Sequence, residues 1–323
     1  MPSLRTAWPH HALLSVFVWL WGANFVLAEV ALREMAPISF SVARFLMGGA
    51  ALLVLLYTLW PDPDDGAGGR LFPDVRAADW PRILVVSVLG AALAPWLGIE
   101  GLDLTHSGRA SLWLALGPVL SSAIGALAQT ERIGRIGYFG IGLAGLGTFV
   151  LGADGLRPQQ AYWAGDLLLL TALLLTIAEM HLIKPLVSRY GSVPVVALRT
   201  TVGGGLYALL ATPVLVQESW LTLSPWAWGA ILLGGSIGVG VGQWVKYRAL
   251  PAIGPTRVVI YGNLVPVATL LLAWLTIETN PSGWELLAAL LIVAGAFCLQ
   301  GDDLRSAPAS APQPATADGA AGP

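Results

Sequence analysis

Of the 17 Lys and Arg and 19 Asp and Glu in this 323-residue chain, only a few stand alone in apolar surroundings. Glu179, His181 and Lys184 fall within six residues of one apolar stretch. Arg44 follows Pro37 by seven residues, and Arg199 follows Pro194 by five. Asn24 and Glu100 are further polar interruptions of apolar runs. Groups this sparse suit charge pairing, proton relay or recognition of a polar solute. They do not suit covalent or metal chemistry. The four histidines, His10, His11, His106 and His181, lack chelating spacing. Neither H-E-x-x-H nor G-x-x-x-x-G-K-[ST] occurs, so no metal, nucleotide or other cofactor is expected, and the chain is not expected to be an enzyme. Cys298 is the single cysteine, which excludes a disulfide framework and reads as a small packing residue.

The elements that hold these groups must live in lipid. Hydrophobic residues make up 56% of the chain and charged residues 11%, against roughly 25% charged in soluble domains. A soluble fold of this size could not cover its surface. A crossing helix needs about 20 mainly apolar residues, which places ten spans near 11–32, 37–60, 82–102, 106–128, 134–153, 163–187, 193–216, 225–248, 254–277 and 282–300. If the N-terminus is cytoplasmic, twelve of the Lys and Arg residues fall inside and only Arg33, Arg109 and Arg157 outside, so both termini are expected in the cytoplasm of a multi-pass protein of the cell membrane. Several tryptophans near span ends fit an interfacial belt. Net charge is −2, and nucleic acid is not an expected partner.

The chain also repeats itself. Trp96 and Trp244, Arg109 and Arg257, Trp113 and Tyr261, and Pro118 and Pro266 are each 148 residues apart. Earlier in each half the offset is 155, pairing Arg44 with Arg199 and Asn24 with Glu179. The expected fold is therefore all-α, with ten transmembrane helices in two inverted five-helix repeats at 1–157 and 158–304, and a disordered cytoplasmic tail at 305–323. Five is odd, so the second copy enters the membrane from the opposite side, an arrangement typical of secondary transporters.

The motifs W-G-A-N-F-V from Trp21, W-L-G-I-E-G-L-D-L-T-H-S-G-R-A-S-L-W-L-A-L-G-P from Trp96, and G-P-T-R-V-V-I-Y-G-N-L-V-P-V from Gly254 carry a family likeness. With their order and duplication, the chain resembles the EamA-type transporters of the drug/metabolite transporter superfamily over roughly 10–153 and 163–301. The resemblance implies a central substrate cavity and export of a small metabolite, such as an amino acid or a similar amphipathic compound, by alternating access. Expected partners are that solute and the bilayer, with a coupling proton and a second copy of the chain as further candidates. An anionic-substrate exchanger of the nucleotide-sugar or triose-phosphate type, or a lipid-linked flippase, is the alternative, and an intramembrane enzyme a remote one. Glu100 and the polar sixth helix depart from the usual family pattern.

A charge at mid-span costs roughly 2.5–3.5 kcal/mol on insertion scales, so such groups are the first candidates for function. Asn24 and Glu179 are candidate substrate-binding residues, with a helix–helix hydrogen bond as the plainer reading. Trp96, Trp113, Trp244 and Tyr261 could line an aromatic cavity or simply pack. Asn263, just before Pro266, could bind a polar group at a kink. Arg44, Arg199, Glu100 and His181 are candidates for gating or charge pairing, although arginines this near a helix start could also snorkel to the interface. Gly234, Gly238 and Gly242 form a small-residue row that permits close helix approach, as do Gly140, Ala144 and Thr148.

Overall fold

A computed structural model of the chain describes residues 4–59, 74–104, 116–127, 133–152, 163–277 and 283–306, all of them helical or in the turns between helices. The first two helices are α1 (Leu4–Ala31) and α2 (Pro37–Leu59). α3 (Trp80–Val88) and α4 (Ala94–Asp103) are one continuous helix, joined by a π-helical turn at Leu89–Leu93. α5 (Gly117–Leu127) and α6 (Arg135–Gly152) follow, then α7 (Trp163–Tyr190) and α8 (Ser192–Leu210). After a short α9 (Thr212–Leu215) come α10 (Pro225–Leu233) and α11 (Gln243–Ile253), joined by a second π-helical stretch at Gly234–Gly242. α12 (Pro255–Gly262), α13 (Val265–Ile277) and α14 (Gly283–Ser306) complete the described chain.

Among the described residues, six stretches are long and apolar enough to cross a membrane: Trp8–Ala28, Pro37–Thr58, Ala77–Gly101, Trp163–Tyr190, Ser192–Leu210 and Pro225–Ile253. The outward faces of these and the other helices carry large apolar side chains such as Val54, Phe139, Leu209 and Phe297, while Trp8, Trp163, Trp226 and Trp284 stand exposed near helix starts. Exposed apolar surface on this scale belongs against hydrocarbon.

Helix ends differ from the expected ones for identifiable reasons. The sixth span runs through Pro185 to Tyr190, and the chain turns only at Gly191, whose φ of 82° suits glycine alone. The eighth likewise continues past Arg248 to Ile253 and stops before Gly254, at φ 87°. The ninth is two helices, because the chain leaves helical geometry after Gly262 and restarts at Val265, next to the expected kink at Pro266. α1 begins seven residues before the expected start. α14 carries helix across the expected boundary of the tail at 305, and residues 307–323 lie outside the described residues.

Small residues set how closely the helices pack. A side chain on Gly295 would meet the Ala144 backbone nitrogen at 2.6 Å, and one on Gly147 would meet the Ala288 carbonyl at 2.8 Å, so α6 and α14 touch through backbone. Gly235 and Gly238 bring the second π-helical stretch close against the Met47 side chain on α2 and the Asn24 side chain on α1. The glycine row behaves as expected from its spacing. The largest buried apolar cluster runs through α1, α2, α3, α7, α8, α11 and α12, and includes Leu14, Leu52, Ile83, Met180, Val196, Leu250 and Ile260.

Two polar clasps tie distant parts of the chain together. Glu34, after α1, accepts from the Ser224 hydroxyl (2.6 Å) and backbone N–H (2.7 Å), and Glu218 accepts from the Ala36 N–H at 3.0 Å. Asp79, before α3, accepts from Arg189 and from the Tyr190 hydroxyl, both at 2.5 Å, while Tyr190 Oη accepts from the Arg76 N–H at 3.1 Å. The clasps correspond at the sequence offsets already noted: Glu34 and Arg189 are 155 apart, and Arg76 and Ser224 are 148 apart.

Candidate functional site

The first cluster begins with a proline. In the turn at Leu89–Leu93, the Ala94 N–H bonds to the Leu89 carbonyl. The next donor in that pattern would serve Gly90, but residue 95 is Pro95 and has no N–H. The Gly90 carbonyl is thereby left for another donor, and Arg199 Nη2 takes it at 2.6 Å. Gly203, one turn beyond Arg199, brings α8 this close: a side chain there would meet Ala91 Cβ at 2.5 Å. Gly90 itself has no room for a side chain, since a Cβ would lie 2.6 Å from Glu179 Cγ.

Glu179 is fully buried and Arg199 is 2% exposed. Arg199 Nε donates to Glu179 Oε1 at 3.2 Å, and the Tyr247 hydroxyl donates to Glu179 Oε2 at 2.6 Å. Both carboxylate oxygens are therefore engaged, which is what makes a buried charge tolerable. The Arg199 guanidinium also lies over the Tyr247 ring at 5.2 Å, and Lys246 Nζ lies 4.9 Å from that ring. Arg199 does not snorkel; it turns inward to a carboxylate. Tyr247 was not legible as a partner, because the residue 148 positions earlier is Ile99 and the repeat does not mark it.

A second cluster occupies the corresponding place in the first half. Asn24 is buried against Gly234 and Gly238, the latter lying 148 residues after Gly90. Its Oδ1 has no hydrogen-bond partner. Arg44 lies over the Phe40 ring at 4.4 Å and packs its Cδ toward Gly234. Trp96 stacks on Tyr207, with ring centroids 6.5 Å apart, and donates its indole N–H to Glu100 at 3.2 Å. Tyr207 is buried, with its hydroxyl beside Ser41.

The other candidates are placed elsewhere. Tyr261 is buried and its hydroxyl lies 2.9 Å from His11 Nδ1. Asn263 is buried beyond the end of α12, with an unpartnered Nδ2. Trp244 is half-buried, its indole N–H unpartnered and its ring 5.6 Å from the Arg248 guanidinium. His181 Nε2 lies 3.5 Å from the Ser121 hydroxyl, which accepts from Thr256 at 3.1 Å. Trp113 lies outside the described residues.

The EamA-like transporter family model matches this chain twice, over residues 9–153 and 163–300. The chain is 26% identical over 305 residues to an uncharacterized transporter, YvbV, of Bacillus subtilis, covering 93% of this chain and 92% of that protein. It is 25% identical over 308 residues to a protein of Salmonella typhimurium named as a probable amino-acid metabolite efflux pump, covering 88% and 92%. A protein of known crystal structure has the same fold, with a TM-score of 0.74 at 22% identity, over 90% of this chain and 98% of the other. Apolar helices, costly polar groups held between them and two family matches in tandem agree: this chain belongs to the EamA-like transporter family.

Proposed function

We propose that the chain is a secondary transporter that exports a small metabolite, an amino acid or a similar amphipathic compound, by alternating access. Its ten crossing helices form two inverted repeats, 1–157 and 158–304, with both termini in the cytoplasm of a cell-membrane protein. The observation that carries this reading is the recurrence of one arrangement in both halves. Glu179 and Arg199 converge on the π-helical turn at Gly90, and Asn24 and Arg44 converge on the π-helical stretch at Gly234 and Gly238. π-Helical segments are rare and concentrate at functional sites. An inverted duplication allows each half to adopt the conformation of the other, which opens a midplane site to opposite sides in turn. The amino-acid efflux name of one relative favours an amino acid as cargo. The exchanger reading needs several free cations in the cavity, and Arg199 is already neutralised by Glu179.

Glu179 is the proposed coupling residue. Arg199 and Tyr247 both donate to the charged carboxylate, so coupling through Glu179 requires this cluster to loosen during the cycle. In proteoliposomes, the wild-type chain is expected to move labelled amino acids in response to an imposed pH gradient. Glu179→Gln is expected to abolish the pH-driven component, and unchanged coupling in that variant rejects the assignment. A wild-type chain that moves none of a panel of amino acids, amines, sugars and nucleosides rejects the transport reading itself.

A further inference from the structure

The repeat places two arginines alike but neutralises only one of them. Arg199 has a carboxylate, a carbonyl and an aromatic face. Arg44 makes no ion pair or hydrogen bond among the described residues, and its Nε is enclosed without a partner. The reason is a single exchange: the position that corresponds to Glu179 is Asn24. Asn24 stands beside Arg44, since a Cβ on Gly234 would lie 2.7 Å from Asn24 Oδ1 and 3.4 Å from Arg44 Cδ. Tyr207 brings a buried hydroxyl near Ser41, Arg44 and Glu100. Trp96 closes the group by stacking on Tyr207 and donating to Glu100.

A guanidinium held among helices without an anion is costly. The cost is removed when a carboxylate arrives, because charge-assisted, two-pronged hydrogen bonds to arginine are among the strongest available. We infer that Arg44 receives the carboxylate of the transported solute, which takes the place beside Arg44 that the Glu179 carboxylate fills beside Arg199. The Tyr207 hydroxyl supplies a further donor, the Trp96 and Tyr207 rings an apolar wall, and Glu100 an acid on the same side for a cationic amine. The solute class that fits is a small amphipathic carboxylate, with an α-amino acid using both charged ends. This assignment rests on the transport reading above and narrows it.

The test uses the full chain in lipid nanodiscs, melted against a panel of amino acids, each paired with its carboxamide and with its deaminated acid. The same solutes, together with amines, sugars and nucleosides, are followed in proteoliposomes. Amino acids and free acids are expected to stabilise the wild type, and carboxamides to have little effect. Arg44→Gln is expected to weaken carboxylate binding about ten- to a hundredfold, the range for losing a charged hydrogen bond. Asn24→Asp, of equal size, gives Arg44 an internal carboxylate and is expected to show the same loss while folding normally. If Arg44→Gln does not fold, Asn24→Asp decides alone. Carboxamides that bind as well as amino acids, or undiminished carboxylate binding in the folded variants, overturn the assignment and leave the transport reading standing. Transport confined to amines, sugars or nucleosides also overturns the assignment alone, whereas transport of nothing in the panel overturns the broader reading.

Discussion

The Glu179–Arg199 pair shows how one backbone irregularity dictates side-chain chemistry. Pro95 removes a donor, the helix widens, and the Gly90 carbonyl becomes the second anchor of Arg199. Glycine at position 90 is then compulsory, because a methyl group would press on both Arg199 and Glu179. Gly90→Ala is expected to lower stability by about 1–3 kcal/mol, the usual penalty of overpacking. Gly142, where a Cβ meets nothing within 4 Å, is the control: Gly142→Ala should melt at or above the wild-type temperature in the same fluorescence-monitored denaturation. Equal behaviour of the two variants contradicts the packing account. Glu179, Arg199, Asn24 and Arg44 were all legible as chemistry-bearing residues, since charge and amide groups are conspicuous in apolar helices. Their partners Gly90, Tyr207 and Tyr247 were not. A glycine or a tyrosine is common in any membrane helix, and only the three-dimensional contact marks these three.

Element ends carry a second layer of interactions that hydropathy does not encode. Apolar length reveals that a helix crosses, but a helix stops where the backbone changes, at Gly191 and Gly254, both with positive φ. This is why the expected ends at 187 and 248 fell short. The connections between helices are polar, and their long-range pairing cannot be read from composition. Glu34 is the clearest case, because the Ser224 hydroxyl and N–H hold its carboxyl below the ordinary carboxylate value. A carboxyl lowered by folding adds stability above its unfolded value, near 4.5, and loses that contribution as pH falls through its folded value. Melting temperature is therefore expected to drop as pH is lowered below about 4.5, and Glu34→Gln should show a shallower drop than the wild type across that window. Parallel melting curves for the two proteins would remove Glu34 from the acid response.

For the whole molecule, the tandem family match and the matching contacts at Gly90 and Gly238 agree with the duplication that the Trp, Arg and Pro series suggests, and its inversion is the proposal to test. The proposed five-helix repeat makes the orientation testable. Fluorescent-protein fusions at either end are expected to be bright and alkaline-phosphatase fusions inactive, since both termini are proposed to be cytoplasmic. Opposite reporter activity at the two ends implies an odd number of crossings and rejects the scheme. The repeat explains what was readable from sequence and what was not: it transmits position faithfully but lets chemistry drift, as Asn24 against Glu179 shows. The two clasps have drifted in the same way. One joins a carboxylate to a neutral hydroxyl and amide, and the other joins a carboxylate to an arginine that is half-exposed to water. Protonation of the carboxylate loosens either clasp, whereas dissolved salt screens only the second, which joins opposite charges. A carboxylate is common to the two clasps, so acid weakens them together, while a rise in salt tells the charged one from the neutral one.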